Sequence, residues 1–241
     1  MEETIHSGMS KEYFWELIAG AKKVCGTDLE ASAVWMKQQL LHMTPTDVLI
    51  FHNLLYSYRD AAYKYGLWTA AGIFMERGCS DDGFFDFRMW LIAQGREVYL
   101  NALKNPDSLS DIIPYEYCSF ETLGYISSQV YSAMNGRNIY QDSSAKMQMD
   151  CYEQVIRDIV YHPMIEYPLE LPEAMIVYPK LCESHLSEQE KKDPKRRKNW
   201  NTSRTDIRRM MVRGSDMIRK LQKSDYEQKE RQSSKGKENA R

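Results

Sequence analysis

Apolar residues recur along the chain at helical spacings of three and four, and no alternating strand pattern persists beyond a few residues. The densest apolar stretch runs from Gly66 to Asp111, and its middle, Phe84 to Ile92, leaves almost no side free for water. On a helix, Phe84, Phe87 and Leu91 share one face, Phe85, Met89 and Ile92 the next, and Trp90 lies between Phe87 and the polar positions. A helix apolar nearly all round is a buried one. The pattern therefore predicts a central helix over about residues 81–94, capped by Ser80, with Asp81 and Asp82 in the first turn where the helix dipole favours acids, and stopped by Gly95.

Other helices are predicted around it. Ser10 is an N-cap whose neighbour Met9 staples onto Phe14, opening a helix that runs out near Gly26. Asp28 caps a second helix, and Thr44-Pro45-Thr46-Asp47 supplies cap, first-turn proline and acid for a third, carrying Val48, Phe51, Leu55, Tyr58 and Ala62 and ended by Gly66. Trp68 to Met75 and Arg96 to Lys104 read as short helices, with Ser108 capping a further turn. Ser119 to Asn135 and Met147 to Tyr161 read as longer ones, and Pro163, Pro168, Pro172 and Pro179 then break the chain into short helices joined by turns. Short strands are conceivable only at Ile139-Tyr140 and Met175 to Tyr178.

The pattern fades near His185, and the charge changes sign at the same place. Ser187 to Arg241 holds 18 Lys+Arg against 9 Asp+Glu, a net +9, whereas the rest of the 241-residue chain carries a net −11. The expected architecture is all-α: a compact multi-helix domain over residues 9–186 and a largely disordered, mobile basic tail over residues 187–241, with an amphipathic helix at about 206–222. Five scattered cysteines in no CxxC spacing read as reduced, packed thiols. The acidic opening lacks the apolar core of a secretory signal, and no apolar run has the ~18 residues of a membrane span. A cytoplasmic location is expected, with neither cofactor nor metal.

The residues carrying these signals also resemble a known family. Tyr13-Phe14-Trp15 with Leu17-Ile18, the blocks Ser80-Asp81-Asp82-Gly83-Phe84 and Asp86-Phe87-Arg88-x-Trp90-Leu91-Ile92, Asn105-Pro106-Asp107-Ser108-Leu109, and Glu121 with Gly124-Tyr125 are similar to the bacterial family catalogued as domain of unknown function 4240, over roughly Met9 to Tyr131. The resemblance implies a small helical cytosolic protein and supplies no activity. The family pattern places a second acidic residue before the helical glutamate, and Phe120 stands there in this chain.

Two groups of residues have candidate chemistry. Asp82 and Asp86 share a helical face, as do Asp81 and Arg88 two turns apart, and Glu121 and Tyr125 approach from another helix. Enclosed together, these six would form a polar cleft in which facing carboxylates raise one another's pKa, useful to general-acid chemistry or cation binding. The plainer reading makes Asp81 and Asp82 first-turn acids, Asp86 and Arg88 backbone or inter-helix ties, and Glu121 with Tyr125 a structural pair. His52, one step off the face of its helix, reads as packed or solvated. In the tail, Lys195, Arg196, Arg197 and Lys198 lie beside Trp200, a combination suited to phosphate contact plus base or acyl-surface contact, and Arg208, Arg209 and Arg213 flank an amphipathic stripe suited to nucleic acid, an anionic membrane or an acidic protein groove. No nucleophile elbow, phosphate loop, dinucleotide fingerprint or zinc-protease motif occurs. The expected function is a non-enzymatic interaction or regulatory module with a protein partner; an enzyme or small-ligand binder using the acidic cleft, and a nucleic-acid binder using the tail, are the alternatives.

Overall fold

The computed structural model describes residues 8–75, 78–112 and 118–193, together with Gly214, Met217, Ile218, Lys220 and Lys223. Among these residues every regular element is helical, as the periodicity predicts. The order is α1 (Lys11–Cys25), α2 (Leu29–Leu41), α3 (Pro45–Ala61), α4 (Tyr65–Phe74), α5 (Asp81–Ala93), α6 (Arg96–Lys104), a 3-10 turn (Pro106–Asp111), α7 (Glu121–Asn135), α8 (Ile139–Asp142), α9 (Ala145–Ile156), α10 (Leu171–Val177), α11 (Pro179–His185) and α12 (Glu188–Lys192).

The predicted caps form. The side chains of Ser10, Asp28, Thr44 and Ser80 accept from the backbone N–H groups of Tyr13, Ala31, Asp47 and Gly83, starting α1, α2, α3 and α5. Each cap satisfies a donor the helix cannot. α5 is the central helix: Phe84, Phe87, Met89, Trp90, Leu91 and Ile92 are all 0% exposed. Burying side chains of this size stabilises by roughly 1.5–3 kcal/mol each. Phe84 stacks on Trp68 with ring centroids 4.8 Å apart, and Phe87 packs on Trp90 at 5.6 Å. α3 packs beside α5, and its predicted Val48, Phe51, Leu55 and Tyr58 stripe is buried, each at most 1% exposed, with Phe51 and Tyr58 against the Phe14 ring of α1 at 5.1 and 5.2 Å. Tyr58 also joins three helices, since its hydroxyl accepts from Trp15 Nε1 of α1 at 2.8 Å and its carbonyl from the Tyr99 hydroxyl of α6 at 2.6 Å.

Four local expectations are corrected by packing. α3 ends at Ala61, and Gly66 lies in the first turn of α4, where its N–H donates to the Ile165 carbonyl at 2.7 Å. A Cβ on Gly66 would stand 2.8 Å from both Ile165 Cα and the Met164 carbonyl oxygen, so the glycine serves close approach and not termination. Ser108 lies inside the 3-10 turn, and its neighbour Asp107 does the capping. The buried Asp107 carboxylate accepts from the N–H groups of Lys180 at 3.3 Å and Leu181 at 2.8 Å, at the start of α11. α9 stops at Ile156, short of the expected Tyr161, because the chain beyond it is drawn aside: Lys11 Nζ binds Asp158 at 2.8 Å and the His162 N–H donates to the Leu103 carbonyl at 2.9 Å. Ile139-Tyr140 and Met175 to Val177 are helical and not extended. Beyond residue 186, α12 starts with a reciprocal capping box between Ser187 and Glu190. The described residues from Gly214 to Lys223 are also helical, with Gly214 and Ile218 buried, the Gly214 backbone against Tyr167, and Lys220 and Lys223 exposed.

Two substitutions test this packing. Gly66→Ala should lower stability by about 1–3 kcal/mol in denaturant unfolding, because the Ile165 and Met164 backbone and the fully buried Tyr178 hydroxyl all stand in the way of a Cβ and cannot move aside cheaply. The Tyr178 hydroxyl is buried with no hydrogen-bond partner among the described residues. Tyr178→Phe should therefore be neutral or up to about 1 kcal/mol stabilising, and a clear loss of stability would show that the hydroxyl is satisfied.

Candidate functional site

The exposed residues of α5 are Asp81 and Asp82 in its first turn, and with the half-buried Asp86 one turn on its acids gather at one end. α7 starts there. The Phe120 N–H donates to the Asp86 carbonyl and Ser119 Oγ to Asp86 Oδ2, both at 3.2 Å. Gly124 lets the two helices close up, since a Cβ there would lie 3.2 Å from Phe85 Cζ and 3.3 Å from Met89 Cε. On this face the Tyr125 hydroxyl donates to Glu121 Oε1 at 3.2 Å. Asp86 is half-buried, and its carboxyl is raised above the ordinary carboxylate range, first by burial and then by the charges of Glu121 and Asp82, against the Ser119 hydrogen bond, which lowers it. Asp82, Asp86, Glu121 and Tyr125 are thus brought together.

The other two members of the predicted cleft go elsewhere. Asp81 is an exposed first-turn acid. Arg88 is 5% exposed and turns inward, away from the acids. Its Nε donates to the Phe84 carbonyl at 3.1 Å and its Nη1 to the Arg59 carbonyl at 3.0 Å, while the guanidinium lies over Tyr63 at 4.8 Å and Phe84 at 4.9 Å. The Arg59 carbonyl belongs to the last turn of α3, where the helix dipole attracts a cation. Burial, helped by the Arg59 charge, pulls Arg88 down to about 10, which leaves it protonated at neutral pH. Arg88 is therefore a tie between α3 and α5 and not a member of the cleft, and the acidic group is an open face and not an enclosure.

Beside the acids lies an aromatic group from α3 and α8 bonded to α7, which spacing along the chain does not assemble. His52 Nδ1 is 2.9 Å from the buried Ser127 Oγ, and its ring packs on Tyr56 at 4.3 Å and edge-on to Tyr140 at 5.2 Å. The Tyr56 hydroxyl donates to the Gly124 carbonyl at 3.2 Å and meets the Tyr140 hydroxyl at 3.1 Å. Arg59 covers the Tyr56 ring at 4.1 Å and pairs with Asp60 at 2.6 Å. Burial first, and the Arg59 charge second, hold His52 down at about 4, so the imidazole is neutral. The one signal in the sequence for this group is the spacing of His52, Tyr56 and Arg59 along one side of α3. Burial pushes the Cys79 and Cys118 thiols up to about 12, which removes them as nucleophiles.

Among the described residues no group of three or more His, Cys, Asp and Glu side chains is placed to hold a metal ion, and no helix is long and apolar enough to cross a membrane. The proposed contacts Lys195, Arg196, Arg197, Lys198, Trp200, Arg208, Arg209 and Arg213 lie outside the described residues.

Fold and face together define an all-helical domain that presents carboxylates and tyrosines at the junction of α3, α5 and α7. The family model described as "Protein of unknown function (DUF4240)" matches residues 9–133, more than half of the chain, and the chain belongs to that family. The match takes in α1 to α6 and nearly all of α7, and so every residue of the acidic face. Neither a curated protein nor a solved structure matches the chain.

The His52 arrangement has a pH signature. The unfolded chain takes up a proton below about pH 6.5 and the folded chain only near pH 4, so this group's contribution to stability is present above pH 6.5 and is lost as pH falls to about 4. The loss should reach about 3 kcal/mol, because lowering a pKa tenfold in proton affinity is worth about 1.4 kcal/mol. Thermal melts of the wild type and His52→Gln should converge as pH falls through this window; parallel curves would place a solvated, titrating imidazole at position 52.

Proposed function

We propose that the chain is a cytosolic, non-enzymatic interaction module whose α5–α7 face receives a cationic segment of a partner protein. The observation that carries this reading is unbalanced charge. Asp82, Asp86 and Glu121 share one face, and no described cation forms an ion pair with any of them. Arg88 is spent on backbone carbonyls and Arg59 on Asp60. Tyr125 and Tyr140, 43% and 51% exposed, border the acids with ring faces that favour guanidinium and ammonium groups. Catalysis draws less support from the same face, because Asp82 and Glu121 stand in water and only Asp86 is shielded. A second reading, nucleic-acid binding through the basic C-terminal residues, is favoured by Lys220 and Lys223, which are exposed while Ile218 is buried.

Titration with a fluorescent nona-arginine peptide tests the leading reading. Asp82→Lys combined with Glu121→Lys should weaken binding by about tenfold or more and slow association, and Tyr125→Ala should weaken it by roughly threefold to tenfold. Reversing Glu30 on α2 and Asp150 on α9 alters the net charge equally and should leave binding nearly unchanged. Equal effects from both pairs would reduce the interaction to overall charge and remove the proposed face.

A further inference from the structure

α1, α2, α5 and α7 do not close completely on one another. They leave a partly enclosed cavity of about 340 Å³, distinct from the acidic face and bordered by the end of the 3-10 turn. The volume is at the low end of the ~300–1,000 Å³ typical of small-molecule sites. Its walls are apolar, formed by side chains such as Ile18, Met36, Ala93 and Leu123, and its mouth is polar. Lys22 stands at that mouth. Its Nζ donates to the Gln94 carbonyl at the end of α5, at 2.8 Å, which holds the ammonium in place while using one of its three N–H donors. No described carboxylate pairs with it.

We infer that this cavity binds a small anionic amphiphile, with its apolar body among α1, α2, α5 and α7 and its single anionic head on Lys22. The two halves of the argument are independent. An apolar cavity of this size takes a hydrocarbon or aromatic body, because few polar groups in its walls hold water in place. A positioned ammonium with unused donors at its entrance selects the head. Asp111 lines the same cavity, so the mouth is not a broad cationic field, and a head with one charge fits where a polyanion would be repelled. Ser32, also in the lining, already donates to the Asp28 carbonyl at 2.8 Å and is not needed by the ligand.

Octanoate is the probe, titrated calorimetrically into the full chain. Saturable one-site binding is expected. Lys22→Met, which keeps the alkyl stem and removes the charge, should weaken it by about tenfold. Octylamine, with the same body and the opposite head, should bind at least about tenfold more weakly than octanoate. Ala93→Leu should fill the cavity and abolish binding while the melting temperature stays the same or rises. Thr27→Trp, at the exposed mouth, should block entry if the leucine variant does not fold. Absence of saturable binding, octylamine binding as tightly as octanoate, unchanged affinity in Lys22→Met, or full binding in a well-folded filled or blocked variant would each overturn the inference.

Discussion

Water is excluded from α5 along nearly its whole length, and the neighbouring elements conform to that exclusion. α1, α3, α4, α6 and α7 all pack against it. Each contributes a face matched to the aromatic and aliphatic side chains it meets, from the Trp68 ring stacked on Phe84 to the bare backbone of Gly124 under Phe85 and Met89. Interiors are packed too tightly to leave such a helix half covered. The only part of α5 that can hold carboxylates without a large desolvation cost is its first turns, where the dipole also favours them. The acidic face is thus a by-product of burying the rest of the helix.

Arg88 shows the same constraint acting on a cation. Its position is fixed by the helix, its side chain enters the core, and its charge must be met there. Two carbonyls and two ring faces meet it without a carboxylate, so the α3–α5 junction is held by a group whose removal would take a donor from the Arg59 carbonyl in the last turn of α3. One consequence reaches the surface. Because Arg88 turns inward, it does not neutralise Asp82, Asp86 or Glu121, and the face keeps its negative potential. The neutral His52 below the tyrosines adds no positive charge either.

The domain therefore combines a rigid interior with chemistry displayed at its edges. The polar groups of the α3–α7 contact, His52 with Ser127 and Tyr56 with the Gly124 carbonyl, fix the tyrosines in place. A partner or ligand would meet a preformed surface, which lowers the ordering cost of association.

The sequence by itself determined the helical class, the central helix and most helix starts, because periodicity and capping are local: Ser10, Asp28, Thr44 and Ser80 act within three residues of themselves. It also placed Asp82 with Asp86 and Glu121 with Tyr125, pairs one helical turn apart. What depends on residues far apart in the chain was decided only by the tertiary structure. Gly66 reads as a terminator until the Ile165 backbone is set against it, and Asp107 is an ordinary loop acid until α11 arrives above it. The inward turn of Arg88 depends on where α3 ends, and the His52, Ser127 and Tyr140 group and the Lys22 cavity on how helices cross. Local spacing shows which side chains share a face; only packing selects the neighbour that face meets and whether water remains between them.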